Sequence, residues 1–286
     1  MSRLRQSVLY MPASNARALE KAKTIPCDAL IFDLEDAVQP DAKETARQQA
    51  VAAAAEGGYG DRELVIRCNG LDTHWAEADI TAAASAAPSA VLVPKVGSAV
   101  HVAAVAETLD AAGADQSVRI WAMIETPAGV LAAPEIARHE RLDVLVMGTN
   151  DLANELRAAS VPGRQPLLPH LAFVVLAARA AGKSIVDGVF NDLGDPDGFV
   201  SECRQGRDMG FDGKTLIHPS QVDPCNDAWT PTDDEVALAR EVIAAFEQAQ
   251  LDGRGAVTVR GKMIENLHAE QARRVLAAAD AASRRR

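Results

Sequence analysis

The sequence predicts a (β/α)8 TIM barrel with a C-terminal extension, and three observations carry that expectation. Short apolar runs alternate with helix-patterned stretches between residues 7 and 219. Most of these runs are apolar on both faces, as parallel strands are when helices cover both sides of a sheet. The first run leads into "YMPASNAR", which lacks the GxGxxG phosphate loop usual at that place in an open dinucleotide-binding sheet.

In order, the predicted strands are "SVLYMP" (7–12), "ALIFDLE" (29–35), "LVIRCN" (64–69), "AVLVPKV" (90–96), "VRIWAMIE" (118–125), "DVLVMG" (143–148), "SIVDGVF" (184–190) and "GKTLIHP" (213–219). Helix signals fall between them. Asn15 stands in cap position before 16–23, and Asp41 caps a helix running to 56 with Glu44 in its first turn. Helix 97–113 ends in a glycine, and helix 167–182 carries Pro169 in its first turn. Beyond the eighth strand, 232–250 reads as an amphipathic helix capped by Thr232 or Asp233. A Gly-rich extended segment follows at 251–266, then a last helix at 267–282. The division is a barrel over 1–230 and an extension over 231–286, packing on the barrel or on a neighbouring subunit.

Of the 286 residues 48% are apolar and 4% aromatic, so Ala, Val, Leu and Ile build the core. A net charge of −11 argues against a nucleic-acid surface. The basic tail "SRRR" (283–286) reads as a solvated terminus. No apolar run reaches the ~18 residues of a membrane span. The four cysteines form no CxxC pair, which fits reduced thiols and a cytoplasmic location.

In such a barrel, chemistry sits at the C-terminal ends of the strands. Those ends carry Asp33, Glu35 and Asp36, then Arg67 and Asn69, then Lys95, Glu125, Asp151, Asp187, Lys214 and His218. A buried charge must be paired, hydrated or metal-bound. Glu125 and Asp151 follow neighbouring strands. Two readings stand side by side: they share a hard divalent ion such as Mg2+, or they form salt bridges with Arg67 or Lys95. Trp121, inside the fifth strand, is expected to pack.

The motifs "SVLYMPASNARALEKA", "ALIFDLEDAV", "VIRCN", "VLVPKV", "IETPAG", "GTNDL", "DGVF", "GFDGKTLIHPSQV" and "GKMIEN" resemble the citrate lyase β-subunit-like family. That family stands with the malyl-CoA and citramalyl-CoA lyases in the HpcH/HpaI aldolase superfamily, and the likeness runs from residue 7 to about residue 276. It implies a magnesium-dependent barrel that makes or breaks a C–C bond between an acyl-CoA and a 2-oxo acid. Carried over by position, Glu125 and Asp151 correspond to the metal ligands and Arg67 to the arginine on the oxo-acid oxygens. Glu35 and Asp36 fall at the acidic pair beside the metal. Arg17, Lys21 and Lys23 lie where the family meets the CoA phosphates, the plainer reading being a solvated helix face. "DLEDAV" lacks the histidine that aldolases of free hydroxy-oxo acids carry there, which favours the CoA-ester branch. The tail motif of the family ends in an aspartate acting as acid/base from a neighbouring subunit; here the residue is Glu265.

The expected activity is a lyase reaction on a 3-hydroxyacyl-CoA such as malyl-, citramalyl- or citryl-CoA. Arg67, Glu35, Asp36 and Glu265 are its catalytic residues, and Arg67 and Glu125 touch substrate. The alternatives are a malyl-CoA-type thioesterase, or a subunit acting on an acyl group held by a carrier protein. The likeness implies a homotrimer or another homo-oligomer.

Overall fold

The computed structural model describes residues 3–283, so Arg284–Arg286 of the basic tail lie outside the described residues. Eight parallel strands close into a barrel in sequence order. The elements run β1 Ser7–Pro12, α1 Ala16–Ala22, β2 Ala29–Asp33, α2 Lys43–Glu56, β3 Glu63–Arg67, α3 Ala76–Ala86, β4 Ala90–Val93, α4 Ala99–Ala111, β5 Arg119–Ile124, α5 Pro127–Ala137, β6 Leu142–Met147, α6 Thr149–Glu155, α7 Leu168–Ala180, β7 Ser184–Asp187, α8 Pro196–Met209 and β8 Gly213–Leu216. After them come α9 Val222–Trp229, α10 Asp233–Leu251, the antiparallel pair β9 Val257–Val259 and β10 Lys262–Ile264, and α11 Asn266–Ser283.

The barrel interior is filled by inward-facing Val8, Ile31, Val65, Leu92, Trp121, Val144, Val146 and Val186. Trp121 packs there with no exposed surface. Near the N-terminal ends of the strands, Arg5 forks onto Glu63 at 2.6 and 2.8 Å and lies 5.4 Å over the Trp121 ring.

Local signals place the helices. Asn15 accepts the Ala18 N–H and caps α1, and Thr126 accepts Gly129 N–H and caps α5. Asp41 does not cap α2. Pro40–Ala42 forms a 3-10 turn first, so α2 starts at Lys43 with Ala42 in the cap position and no side-chain cap bond. Thr232 and Glu235 form a reciprocal capping box at α10.

The chain divides into two compact units, Arg5–Cys225 and a second unit holding the C-terminal residues from Asn226. The second has its own core, where Val242 and Phe246 meet Val259, Ile264, Ala269 and Ala272. Among the described residues no helix is long and apolar enough to cross a membrane. All four cysteines are buried and free.

Candidate active site

Parallel pairing sets Asp33 of β2 beside Arg67 of β3. The guanidinium forks onto that carboxylate, Nε to Oδ1 and Nη2 to Oδ2, both at 2.6 Å. A two-point pair fixes the direction of the arginine as well as its charge. Its Nη1 lies 2.7 Å from Glu35 Oε2 and 3.4 Å from Asp36 Oδ2. The guanidinium also stacks 4.9 Å from the Tyr10 ring centre. Burial opposes the Arg67 charge, yet Asp33 and Glu35 outweigh it and hold the group well above its ordinary pKa.

The turn after β2 is built around these charges. Asp33 accepts the Glu35 and Ala37 N–H groups at 2.9 and 3.1 Å. Buried Lys43 donates to the Leu34 and Glu35 carbonyls at 2.8 and 2.7 Å. Burial pushes the Glu35 pKa up to about 7; Arg67 pulls it down, and Asp36 and Asp33 push it further up.

Glu125 follows β5 and is 1% exposed. Its Oε1 accepts the Lys95 N–H at 2.7 Å. Position 148, at the end of β6, is glycine, and a Cβ there would overlap the Glu125 side chain. Burial pushes the Glu125 pKa up to about 8, with Glu35 and Asp151 adding to it against the Lys95 N–H and Arg67. Asp151 stands in the first turn of α6. With Tyr10, Asp33, Arg67, Met123 and Met147 it lines a cavity of about 440 Å³.

Among the described residues no cationic side chain lies within ion-pair distance of Glu125 or Asp151. Arg67 is committed to Asp33 and Glu35, and the Lys95 ammonium comes to 4.0 Å of Glu35. Two carboxylates, Glu125 buried and Asp151 lining the cavity, are oxygen donors of the kind a hard divalent cation takes.

Arg67, Glu35, Asp36, Glu125 and Asp151 are thus brought to one end of the barrel. The other predicted residues are placed differently. Arg17 and Lys21 are exposed on α1. Lys23 does not reach the mouth. It lies at the far end of α1 from β1, where its ammonium binds Glu20 and Glu56 at 2.7 and 2.9 Å. Arg62 grips the carbonyls of Ala22, Lys23 and Ile25 at the same place. Glu265 belongs to the C-terminal unit, between β10 and α11, with its N–H donating to His268 Nδ1 at 3.1 Å.

Tyr10 and Met123 also line this site and Lys43 braces its turn, and the sequence does not mark them. Tyr10 and Met123 sit inside runs that are apolar on both faces, where no alternation marks the inward positions. Lys43 carries no local signal. A second charge cluster joins Asp187 to Arg164 at 2.6 Å and to Lys214 at 3.2 Å, with Glu202 at 2.7 Å from Lys214. His218 caps the turn after β8, its Nδ1 accepting the Ser220 N–H.

The family profile described as HpcH/HpaI aldolase/citrate lyase matches residues 6–219. A "(3S)-malyl-CoA thioesterase" of Cereibacter sphaeroides is 49% identical over 276 residues, covering 96% of this chain and 95% of the relative. The "Citrate lyase subunit beta" of Escherichia coli (strain K12) is 35% identical, with 98% and 94% covered. Among solved structures, protein CitE from Mycobacterium tuberculosis in complex with magnesium, acetoacetate and coenzyme A superposes with a TM-score of 0.81 at 28% identity. That superposition covers 97% of this chain and 98% of the other. Closed barrel, family profile and full-length relatives agree, and the chain belongs to the HpcH/HpaI aldolase/citrate lyase family.

Proposed function

We propose that the chain is a magnesium-dependent enzyme acting on the CoA thioester of a 3-hydroxy acid, of the malyl-CoA type. The observation that carries this reading is the buried Glu125 carboxylate beside Asp151 and Glu35, with no cationic side chain in ion-pair reach among the described residues. Crowded carboxylates out of water are costly unless a proton or a cation relieves them. Mg2+ accepts one or two protein carboxylates and keeps places for water and substrate, so Glu125 and Asp151 would hold it. The CitE relative, solved with magnesium and coenzyme A, supports the choice. The chemistry the ion supplies when bound is Lewis-acid polarisation of substrate oxygens.

The chain's own residues do the rest. Arg67, whose direction the Asp33 fork fixes while its Nη1 faces Glu35 and Asp36, lines the cavity and supplies fixed positive charge for the substrate carboxylate there. Glu35, with a pKa near 7, is suited to take a proton and return it at neutral pH. Asp36, exposed beside it, adds to that raised pKa. Arg17 and Lys21, exposed on α1, are offered to the CoA phosphates.

Hydrolysis of the thioester is the reaction favoured by the relatives at 49% identity. Glu35 accepts a proton from water as the new C–O bond forms. The C–S bond breaks, and the proton passes to the CoA thiolate. The products are the free hydroxy acid and CoA. The citrate lyase relatives at 35% identity favour a second reading, C–C cleavage. There Glu35 takes the hydroxyl proton, the C–C bond breaks, and Glu265 protonates the thioester enolate, leaving an acyl-CoA and a 2-oxo acid.

Incubation of the full-length protein with malyl-CoA and Mg2+ separates the two. Equal amounts of malate and CoA are expected. Acetyl-CoA with glyoxylate would establish the lyase reading, and unconsumed malyl-CoA would remove both. By calorimetry, Glu125→Gln and Asp151→Asn should each weaken Mg2+ binding by about 10-fold or more. Wild-type affinity in either variant would end the metal role.

A further inference from the structure

We propose that Lys95 is a positioning residue that acts through its backbone rather than its charge: its left-handed conformation aims the N–H that orients Glu125. The proposal rests on the reading of Glu125 as an ion ligand.

Lys95 has φ +52°. A side chain other than glycine, asparagine or aspartate rarely takes that conformation, and it costs free energy unless the surroundings impose it. Here they do. Pro94, the first residue after β4, precedes it, and on its other side the Val96 N–H donates to the Met123 carbonyl at 3.2 Å. The Val96 carbonyl packs against Gly129, where any Cβ would overlap it. The Gly97 N–H is taken by His101 Nδ1 at 3.2 Å. The turn is therefore tied to β5, to α5 and to α4. The outcome is a single N–H at 2.7 Å from Glu125 Oε1. Gly148 closes against the same carboxylate from β6. One oxygen is held, and the other oxygen is oriented with it.

The Lys95 side chain is half exposed, and its ammonium stands 4.0 Å from Glu35 Oε1. A positive charge near a divalent ion repels it. Loss of the ammonium would therefore change all four variants below alike, whereas loss of the conformation would grade them, and that separates the two roles.

The experiment compares full-length Lys95→Gly, Lys95→Asn, Lys95→Ala and Lys95→Val, which all lose the ammonium. They differ in how readily they adopt φ > 0, from glycine, which does so freely, to β-branched valine. Calorimetric Mg2+ affinity is expected at or above the wild-type value in Lys95→Gly and near it in Lys95→Asn. It should fall in Lys95→Ala, and by about 10- to 100-fold in Lys95→Val, the range for losing an outer-shell support. If Lys95→Val does not fold, the Gly, Asn and Ala series carries the same ordering. Equal loss in Lys95→Gly and Lys95→Val would show that the side chain acts, and equal retention would show that the conformation is not needed; either overturns the proposal. Amide hydrogen exchange at residue 95 in metal-free protein gives an independent readout, protected in wild type and Lys95→Gly and released in Lys95→Val. Protection in wild type without any Mg2+ binding would sink the ion reading alone.

Discussion

Glu125 shows how much backbone one carboxylate requires. It is almost fully buried, and what surrounds it is an amide N–H and a glycine rather than a cationic side chain. Gly148→Ala therefore tests the site from the β6 side. The added methyl must displace Glu125, and overpacking of this kind costs about 1–3 kcal/mol. A lower Tm together with weaker Mg2+ binding is expected; an unchanged affinity would mean that the carboxylate orientation does not matter. At this scale the sequence showed the acids plainly, since a charge ending an apolar run is conspicuous. It did not show Tyr10 under Arg67, because a tyrosine within such a run reads as packing.

The strands were legible as runs, but their ends were not. The predicted second, third and seventh strands extend to 35, 69 and 190, whereas the ladders stop at Asp33, Arg67 and Asp187. The residues beyond remain mostly buried while the chain turns away from the sheet, so hydropathy alone overshoots. Those last ladder positions are where opposite charges meet. Asp187 and Lys214 are paired in register on β7 and β8, and both are fully buried. Burial opposes both charges. Lys214, Arg164 and the Gly188 N–H nonetheless hold the Asp187 carboxyl below its usual range, and Asp187 and Glu202 hold the Lys214 ammonium above its own. The depressed Asp187 pKa adds stability that is present above 3.8 and lost as pH falls through the folded value. The raised Lys214 pKa adds stability that is present below 10.5 and lost as pH rises through the folded value. Lys214→Met should destabilise by about 3–5 kcal/mol, because it leaves Asp187 buried with one cation fewer. Denaturant titration should also show the alkaline loss of stability reduced in that variant. A wild-type alkaline profile would remove the pair from the stability account.

At the scale of the whole molecule the C-terminal unit is the part whose role is chemical only if it meets a barrel mouth. Glu265 stands between β10 and α11, on a unit with its own core. We propose that the chain works as a homotrimer in which this glutamate serves the mouth of a neighbouring barrel. Subunit mixing tests that. In C–C cleavage, where Glu265 has a step, Glu265→Gln alone and Glu125→Gln alone are each expected to turn over malyl-CoA slowly. Mixed and allowed to exchange subunits, the two should recover part of the activity, since some sites then hold an intact mouth and an intact tail. No recovery despite demonstrated exchange would place Glu265 outside the neighbour's site. Unaltered turnover in Glu265→Gln would remove it from the reaction, as hydrolysis without an enolate step would allow.

The sequence by itself determined the alternation of elements, the closure into eight strands and the position of acids at strand ends, because these follow from periodicity along one chain. Tertiary structure decided which charge meets which. Asp33 pairs with Arg67, Asp187 with Lys214, and Glu125 takes a backbone N–H instead of a cation. Those partners lie on adjacent parallel strands or on the turns that follow them. Which of them touch depends on ladder register and on local φ, and neither is written in the spacing of residues.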